Sequence, residues 1–213
     1  MDNATFFHIC YTWAMKFKKI LSVGVHKYLL DLQTWDKIDA LTESRVSLDE
    51  DDKQIDKYLA EAECLLVTFN KADKEMINKS PNLKYIGALA TGVDKIDTDY
   101  ASKKRIIVTN IPGYSTEGVA ELVFAMLLEN LRDISRAKTE SKQKRTSESN
   151  YHGREIKEKK FGILGLGRIG RRTAEIAQAF GADVFYWSKN RKKDVEKKGI
   201  KYSEINKLLS DSD

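Results

Sequence analysis

Cysteine and histidine are scarce in this chain, and no long apolar run interrupts it. Cys10 and Cys64 are the only cysteines among 213 residues. Neither lies in a CxxC pair or a Cys/His cluster, which argues against a disulfide framework or a zinc site and for a reducing, cytoplasmic setting. The histidines number three, His8, His26 and His152. No stretch approaches the about 20 apolar residues of a membrane span. The amino-terminal apolar stretch in MDNATFFHICYTWAMKFKKI has Asp2 before it and Lys16, Lys18 and Lys19 after it, the reverse of a secretory signal. Residues 1–14 therefore read as an extension, with Met15 an alternative start. A strong excess of one charge is also lacking. The 37 Lys+Arg and 32 Asp+Glu are interleaved and leave a net +5, so the surface reads as solvated, and no nucleic-acid reader motif accompanies the basic excess.

What is present is a repeated β-α pattern. With 41% hydrophobic and 32% charged residues, the composition suits a globular protein of one large or two small domains. Strands are predicted over 19–23, 64–69, 85–90 and 105–109. Helices are predicted over 26–40, 49–62, 73–79 and 97–104. In the first helix Tyr28, Leu29, Leu32, Trp35 and Ile38 share one face. The run Cys64-Leu65-Leu66-Val67-Thr68-Phe69 suits a parallel strand covered on both sides. Such alternation predicts an open parallel sheet flanked by helices. After Pro112-Gly113 a long helix is expected over 115–137, with Val119, Leu122, Val123, Met126, Leu127 and Leu131 on an apolar face. The polar tract at 138–150 reads as a linker or exposed arm.

Gly165-Leu166-Gly167-Arg168-Ile169-Gly170 then follows the apolar strand Phe161–Leu164 and opens a helix over 168–180. A second strand spans Asp183–Trp187, with a fragment at 200–202 and a short helix at 203–209. In that setting GxGxxG is a dinucleotide signature. Gly165 permits the tight turn, Gly167 lets backbone approach a pyrophosphate, and Gly170 lets helix and strand pack closely. The helix start, at Arg168 and Ile169, offers amide N–H groups and a partial positive charge. The position that commonly carries a ribose-binding acid is Ser188, followed by Lys189, Asn190, Arg191, Lys192 and Lys193. With no acid near, these cations tilt the expected cofactor from NAD towards NADP.

The stretch LKYIGALATGVDKIDTDYASKKRIIVTNIPGYSTEGVAELVFAMLL, residues 83–128, resembles the D-isomer-specific 2-hydroxyacid dehydrogenase family. The phrases LKYIGALATG, VTNIPGYST and VAELVFAMLL are similar to its glycerate dehydrogenase (hydroxypyruvate reductase) branch. The resemblance implies an α/β fold with a flavodoxin-like substrate domain (15–113) and a Rossmann dinucleotide-binding domain (114–213), the latter a doubly wound parallel sheet expected to be incomplete. It implies hydride transfer between NAD(P) and C2 of a small D-2-hydroxy or 2-oxo acid such as glyoxylate or hydroxypyruvate. It places Ala90, Thr91 and Gly92 at the substrate and Thr116 beside the nicotinamide. Asp94 and Asn110 match recurrent family positions and are read as shaping turns, and Glu121 as supporting the interdomain helix. The family's catalytic Arg, carboxylate and His match nothing here, so the chain is expected to be truncated before them and inactive alone, with no catalytic residue of its own. A homodimer is implied, with neither nucleic acid nor membrane as partner. The competing reading is a non-catalytic dinucleotide-binding or regulatory protein derived from the same family.

Overall fold

The computed structural model describes residues 16–145 and 152–213. The extension at 1–14 with His8 and Cys10, and residues 146–150 of the polar tract, lie outside the described residues. The chain forms two compact units, Met1–Tyr114 and Ser115–Asp213.

In the first unit β1 (Phe17–Val23), β2 (Thr42–Leu48), β3 (Cys64–Val67), β4 (Tyr85–Ala88) and β5 (Ile107–Thr109) form one parallel sheet in the order β2-β1-β3-β4-β5. This is the flavodoxin-like order. All four residues of β3 are buried, as a central strand covered on both faces requires. Alternate residues supply two cores. Leu21, Val23, Leu65, Val67, Ile86 and Ala88 face Leu59, Ile77 and Ala101, while Ile20, Cys64 and Leu66 face Trp35 and Ile38. The helices are α1 (Leu32–Asp39), α2 (Ile55–Leu59), α3 (Lys74–Asn78) and α4 (Thr98–Lys103).

Three expectations for this unit are corrected. The first helix begins at Leu32, after a 3-10 turn at Lys27–Leu29. The Asp31 carboxylate accepts the Thr34 N–H at 2.7 Å and fixes that start. Tyr28 and Leu32 are consequently 82% and 81% exposed, and Trp35 and Ile38 alone face inward. The helix expected over 49–62 shrinks to α2, because Asp52 accepts the Gln54 N–H at 2.8 Å and holds the preceding residues in turns. Strand β2 was not expected at all. It is a sheet edge with a polar sequence, TESRVSL, and only Thr42 is fully buried. Its Arg45 lies 4.1 Å over the Trp35 ring and pairs with Asp39.

The second unit holds β6 (Lys160–Leu164), β7 (Asp183–Trp187) and β8 (Lys201–Tyr202), parallel in that order. Its helices are α5 (Thr116–Arg132), α6 (Ile134–Lys142), α7 (Arg168–Ala179), α8 (Lys193–Glu196) and α9 (Ile205–Asp211). The long helix expected over 115–137 breaks at Asp133, which is left-handed at φ 52 and ψ 43. Residues 138–142, read as linker, are helical in α6, where Arg136 pairs with Glu140 one turn on. The buried side of α5 carries Ala120 and Phe124. Phe124 stacks on Phe161 and Phe180 at centroid distances of 5.8 and 5.4 Å. Leu127 and Leu131 pack on the same core, but Leu122 and Met126, expected on that face, are 57% and 66% exposed.

Candidate functional site

The glycine turn sits where β6 meets α7. The Gly165 N–H donates to the Trp187 carbonyl at 2.8 Å, which carries the β6–β7 pairing into the turn. Gly165 has φ +94, a conformation L residues rarely adopt. Leu166 is buried and anchors the turn in the core. Gly167 is the N-cap of α7, and the first bond across this helix start runs from the Arg171 N–H to the Gly167 carbonyl at 2.9 Å. The amides of the first turn therefore precede the ladder and point out of the helix end. A Cβ at residue 167 would meet nothing within 4 Å, whereas one at 170 would collide with the Gly165 carbonyl oxygen. The turn thus combines an open face above Gly167 with a close approach beneath Gly170, which fits the pyrophosphate of a dinucleotide. The arginines of the first α7 turns are tied elsewhere, Arg171 to Asp194 and Arg172 to Glu117 and Glu175.

At the carboxyl end of β7 the Ser188 hydroxyl donates to the Asn190 carbonyl at 2.7 Å. Lys189 and Asn190 are exposed. Arg191 grips the Glu196 carboxylate with two bonds, Nε to Oε1 at 2.8 Å and Nη2 to Oε2 at 2.9 Å, and lies 5.0 Å over the Tyr202 ring. The buried Tyr186 hydroxyl donates to Glu196 Oε1 at 2.8 Å and accepts the Lys192 N–H at 2.6 Å. Arg191 holds the Glu196 carboxyl below the usual carboxylate range, and burial pushes the Tyr186 phenol up. The sequence reading that no acid lies near is therefore corrected. Glu196 was missed because the one-turn helix α8 that returns it to Arg191 has too few residues to show a period.

In the first unit Ala90, Thr91 and Gly92 follow the carboxyl end of β4. Ala90 is buried, and Thr91 and Gly92 are exposed. The Ile111 N–H donates to the Ala90 carbonyl at 3.0 Å, and Asn110 Nδ2 donates to the Thr91 carbonyl at 2.6 Å. Asp94 Oδ2 stands 2.9 Å from where a Cβ on residue 92 would be. Thr116 is the first residue of α5, half-buried, and Glu121 is exposed on the same helix. His26 and His152 are both exposed. His26 stacks on Tyr28 and its Nδ1 lies 3.6 Å from an Asp49 carboxylate oxygen, too long for a hydrogen bond. Among the described residues no group of three or more acidic, His or Cys side chains could hold a metal ion, and no helix is long and apolar enough to cross a membrane.

Comparison with known proteins agrees with this architecture. Residues 24–198 match the model of the D-isomer specific 2-hydroxyacid dehydrogenase, catalytic domain. A glyoxylate reductase from Thermococcus litoralis is 40% identical over 156 residues, covering 70% of this chain and 47% of that protein. The crystal structure of D-lactate dehydrogenase from Aquifex aeolicus, complexed with NAD and lactic acid, superposes with a TM-score of 0.82. Its identity is 32%, and the match covers 91% of this chain and 58% of that one. An acyclic imino acid reductase in complex with NADPH and D-Arg gives a TM-score of 0.78 at 30% identity, covering 92% and 63%. The chain spans about half the length of the curated relatives it matches. With two parallel α/β units, a glycine turn at a helix start, and a family model matching most of its length, the chain belongs to the D-isomer-specific 2-hydroxyacid dehydrogenase family.

Proposed function

We propose that this protein is an NAD(P)-dependent oxidoreductase acting on the CH–OH group of a small D-2-hydroxy acid, in the direction of a hydroxypyruvate or glyoxylate reductase. The observation that carries the reading is the glycine turn, where Gly165 makes the bend, Gly167 leaves space and Gly170 brings α7 close. The amides at Arg168 and Ile169 would hold the pyrophosphate. Thr116 would lie on the nicotinamide side, and Ser188, Lys189, Asn190 and Arg191 would surround the adenine ribose. The bound dinucleotide supplies a hydride donor or acceptor, which no side chain can replace. The chain's own part is to orient it and to hold the substrate carboxylate on the backbone amides of the 90–92 loop.

The cation-rich segment from Lys189 to Lys193 supports NADP(H) over NAD(H), moderated by the Glu196 carboxylate on Arg191. The exposed Leu122 and Met126 support a homodimer through α5. The test is titration of the purified chain with NADPH and NADH, followed by glyoxylate- and hydroxypyruvate-dependent oxidation. Binding of neither cofactor would overturn the reading. Equal or tighter binding of NADH would overturn the NADP preference. The alternative reading is a dinucleotide-binding regulator derived from the same family, which the glycine turn would serve equally. Cofactor binding without turnover would support that alternative.

A further inference from the structure

Two successive peptide groups of the 90–92 loop are pinned from the same side. The segment leaving β5 provides both donors, the Ile111 N–H to the Ala90 carbonyl at 3.0 Å and the Asn110 side-chain amide to the Thr91 carbonyl at 2.6 Å. In a trans peptide the C=O and N–H point in opposite directions, and the described residues contain no cis bond. Fixing the Ala90 carbonyl therefore fixes the direction of the Thr91 N–H. Fixing the Thr91 carbonyl likewise fixes the Gly92 N–H. Both amides are turned away from the β5 extension, side by side. Gly92 is exposed, and its N–H has no acceptor among the described residues. As a glycine, residue 92 has no Cβ to shield that amide, and the Asp94 carboxylate, with Oδ2 2.9 Å from where a Cβ would stand, is the like charge that a bound anion must face. Adjacent amides facing one way form an anion-binding concavity. The Ile111 contact is backbone and survives substitution, whereas the Asn110 contact is the one a side chain controls. Without it the Thr91 carbonyl loses this donor, and the direction of the Gly92 N–H is no longer held from the β5 side.

We propose that Asn110 is a positioning residue for substrate: its side-chain amide locks the Thr91–Gly92 peptide so that the Gly92 N–H faces the carboxylate of a 2-oxo acid. This rests on the reading of residues 90–92 as the carboxylate loop. The experiment is an amide NMR titration of the full 15N-labelled chain with glyoxylate, beside N110A and N110D. N110A removes the donor without adding charge. N110D keeps the shape, loses the donor and adds a negative charge, so N110A is the comparison free of charge repulsion. Glyoxylate is expected to shift the Gly92 amide in the wild type. It should bind at least tenfold more weakly to both variants, about 1.4 kcal/mol, with melting temperature and NADPH or NADH affinity unchanged. Equal glyoxylate affinity and an equal Gly92 shift in wild type and either variant would overturn the proposal while leaving the loop reading intact. No shift of the 90–92 amides in the wild type would overturn the loop reading and the proposal with it. Loss of fold in both variants would also overturn the proposal, since Asn110 would then be structural.

Discussion

Substituting alanine at each glycine of the turn should separate three physical demands that the motif compresses into one line of sequence. At Gly165 a Cβ meets nothing within 4 Å, but φ is +94. G165A therefore carries a purely backbone penalty of about 1–2 kcal/mol. At Gly167 the backbone is extended, φ −78 and ψ −159, and the space is open. The poorer N-cap and the reduced freedom of the unfolded chain oppose one another, so G167A should change stability by less than about 0.5 kcal/mol. At Gly170 the added carbon strikes the Gly165 carbonyl oxygen, which no rotamer change can relieve. Overpacking of about 3 kcal/mol, less about 1 kcal/mol of helix propensity gained, leaves a loss of about 2 kcal/mol. In a domain of this size that lowers Tm by roughly 8–16 °C. The assays are thermal melting and titration with NADPH. G170A should melt early, while G167A should melt like the wild type yet bind NADPH at least tenfold more weakly, as its methyl fills the pyrophosphate's approach. Wild-type NADPH affinity in G167A, or a fall in its Tm as large as that of G170A, would refute the reasoning.

The E196Q variant, which frees Arg191 of a countercharge, should raise the NADPH-to-NADH affinity ratio roughly two- to fivefold, the scale of an exposed charge pair; paired titrations check this. Glu63 accepts Lys84 Nζ at 2.8 Å and the Lys18 N–H at 3.0 Å, with Lys84 the first cause of its lowered pKa. Its stabilisation is present above the unfolded carboxyl value, about 4.3, and is lost as pH falls through the lower folded value. Melting from about pH 5 down to pH 3 should accordingly be less steep in E63Q than in the wild type. L65A, at a fully buried position of the central strand, should cost about 2–5 kcal/mol by denaturant unfolding. Charging the outer face of α5 with L122E and M126E should leave Tm within about 2 °C and dissociate any dimer in sedimentation velocity.

The parts legible in the sequence are those where one residue type answers one demand. Gly165 must adopt a positive φ and Gly170 must admit a carbonyl, so the turn could be read once the strand before it and the helix after it were recognised. The run Cys64–Val67 is apolar throughout because both faces are covered. What escaped depended on competition or on distant partners. Asp31 caps α1 and so overrides the apolar spacing of Tyr28, Leu29 and Leu32. Helix α5 is apolar on more than one side, and periodicity could not tell that Phe124 turns inward while Met126 stays out. Strand β2 carries a polar sequence because an edge needs little burial. Glu196 has no meaning until the fold returns it to Arg191.

The Tyr186 hydroxyl gives Glu196 a second reader. One carboxylate oxygen, Oε1, serves both the buried phenol and the Arg191 guanidinium. A lineage drifting between NAD and NADP by way of this residue therefore does not choose freely among replacements. Glutamine keeps an oxygen for the phenol to donate to, while it removes the charge and the second acceptor that Arg191 Nη2 uses. Alanine, or any residue without an acceptor, orphans a donor in the interior, at a cost on the order of 1–3 kcal/mol. On the proposed reading of Arg191 at the adenine ribose, cofactor preference in this unit is coupled to its stability, and the mutational route between the two cofactors passes through an amide.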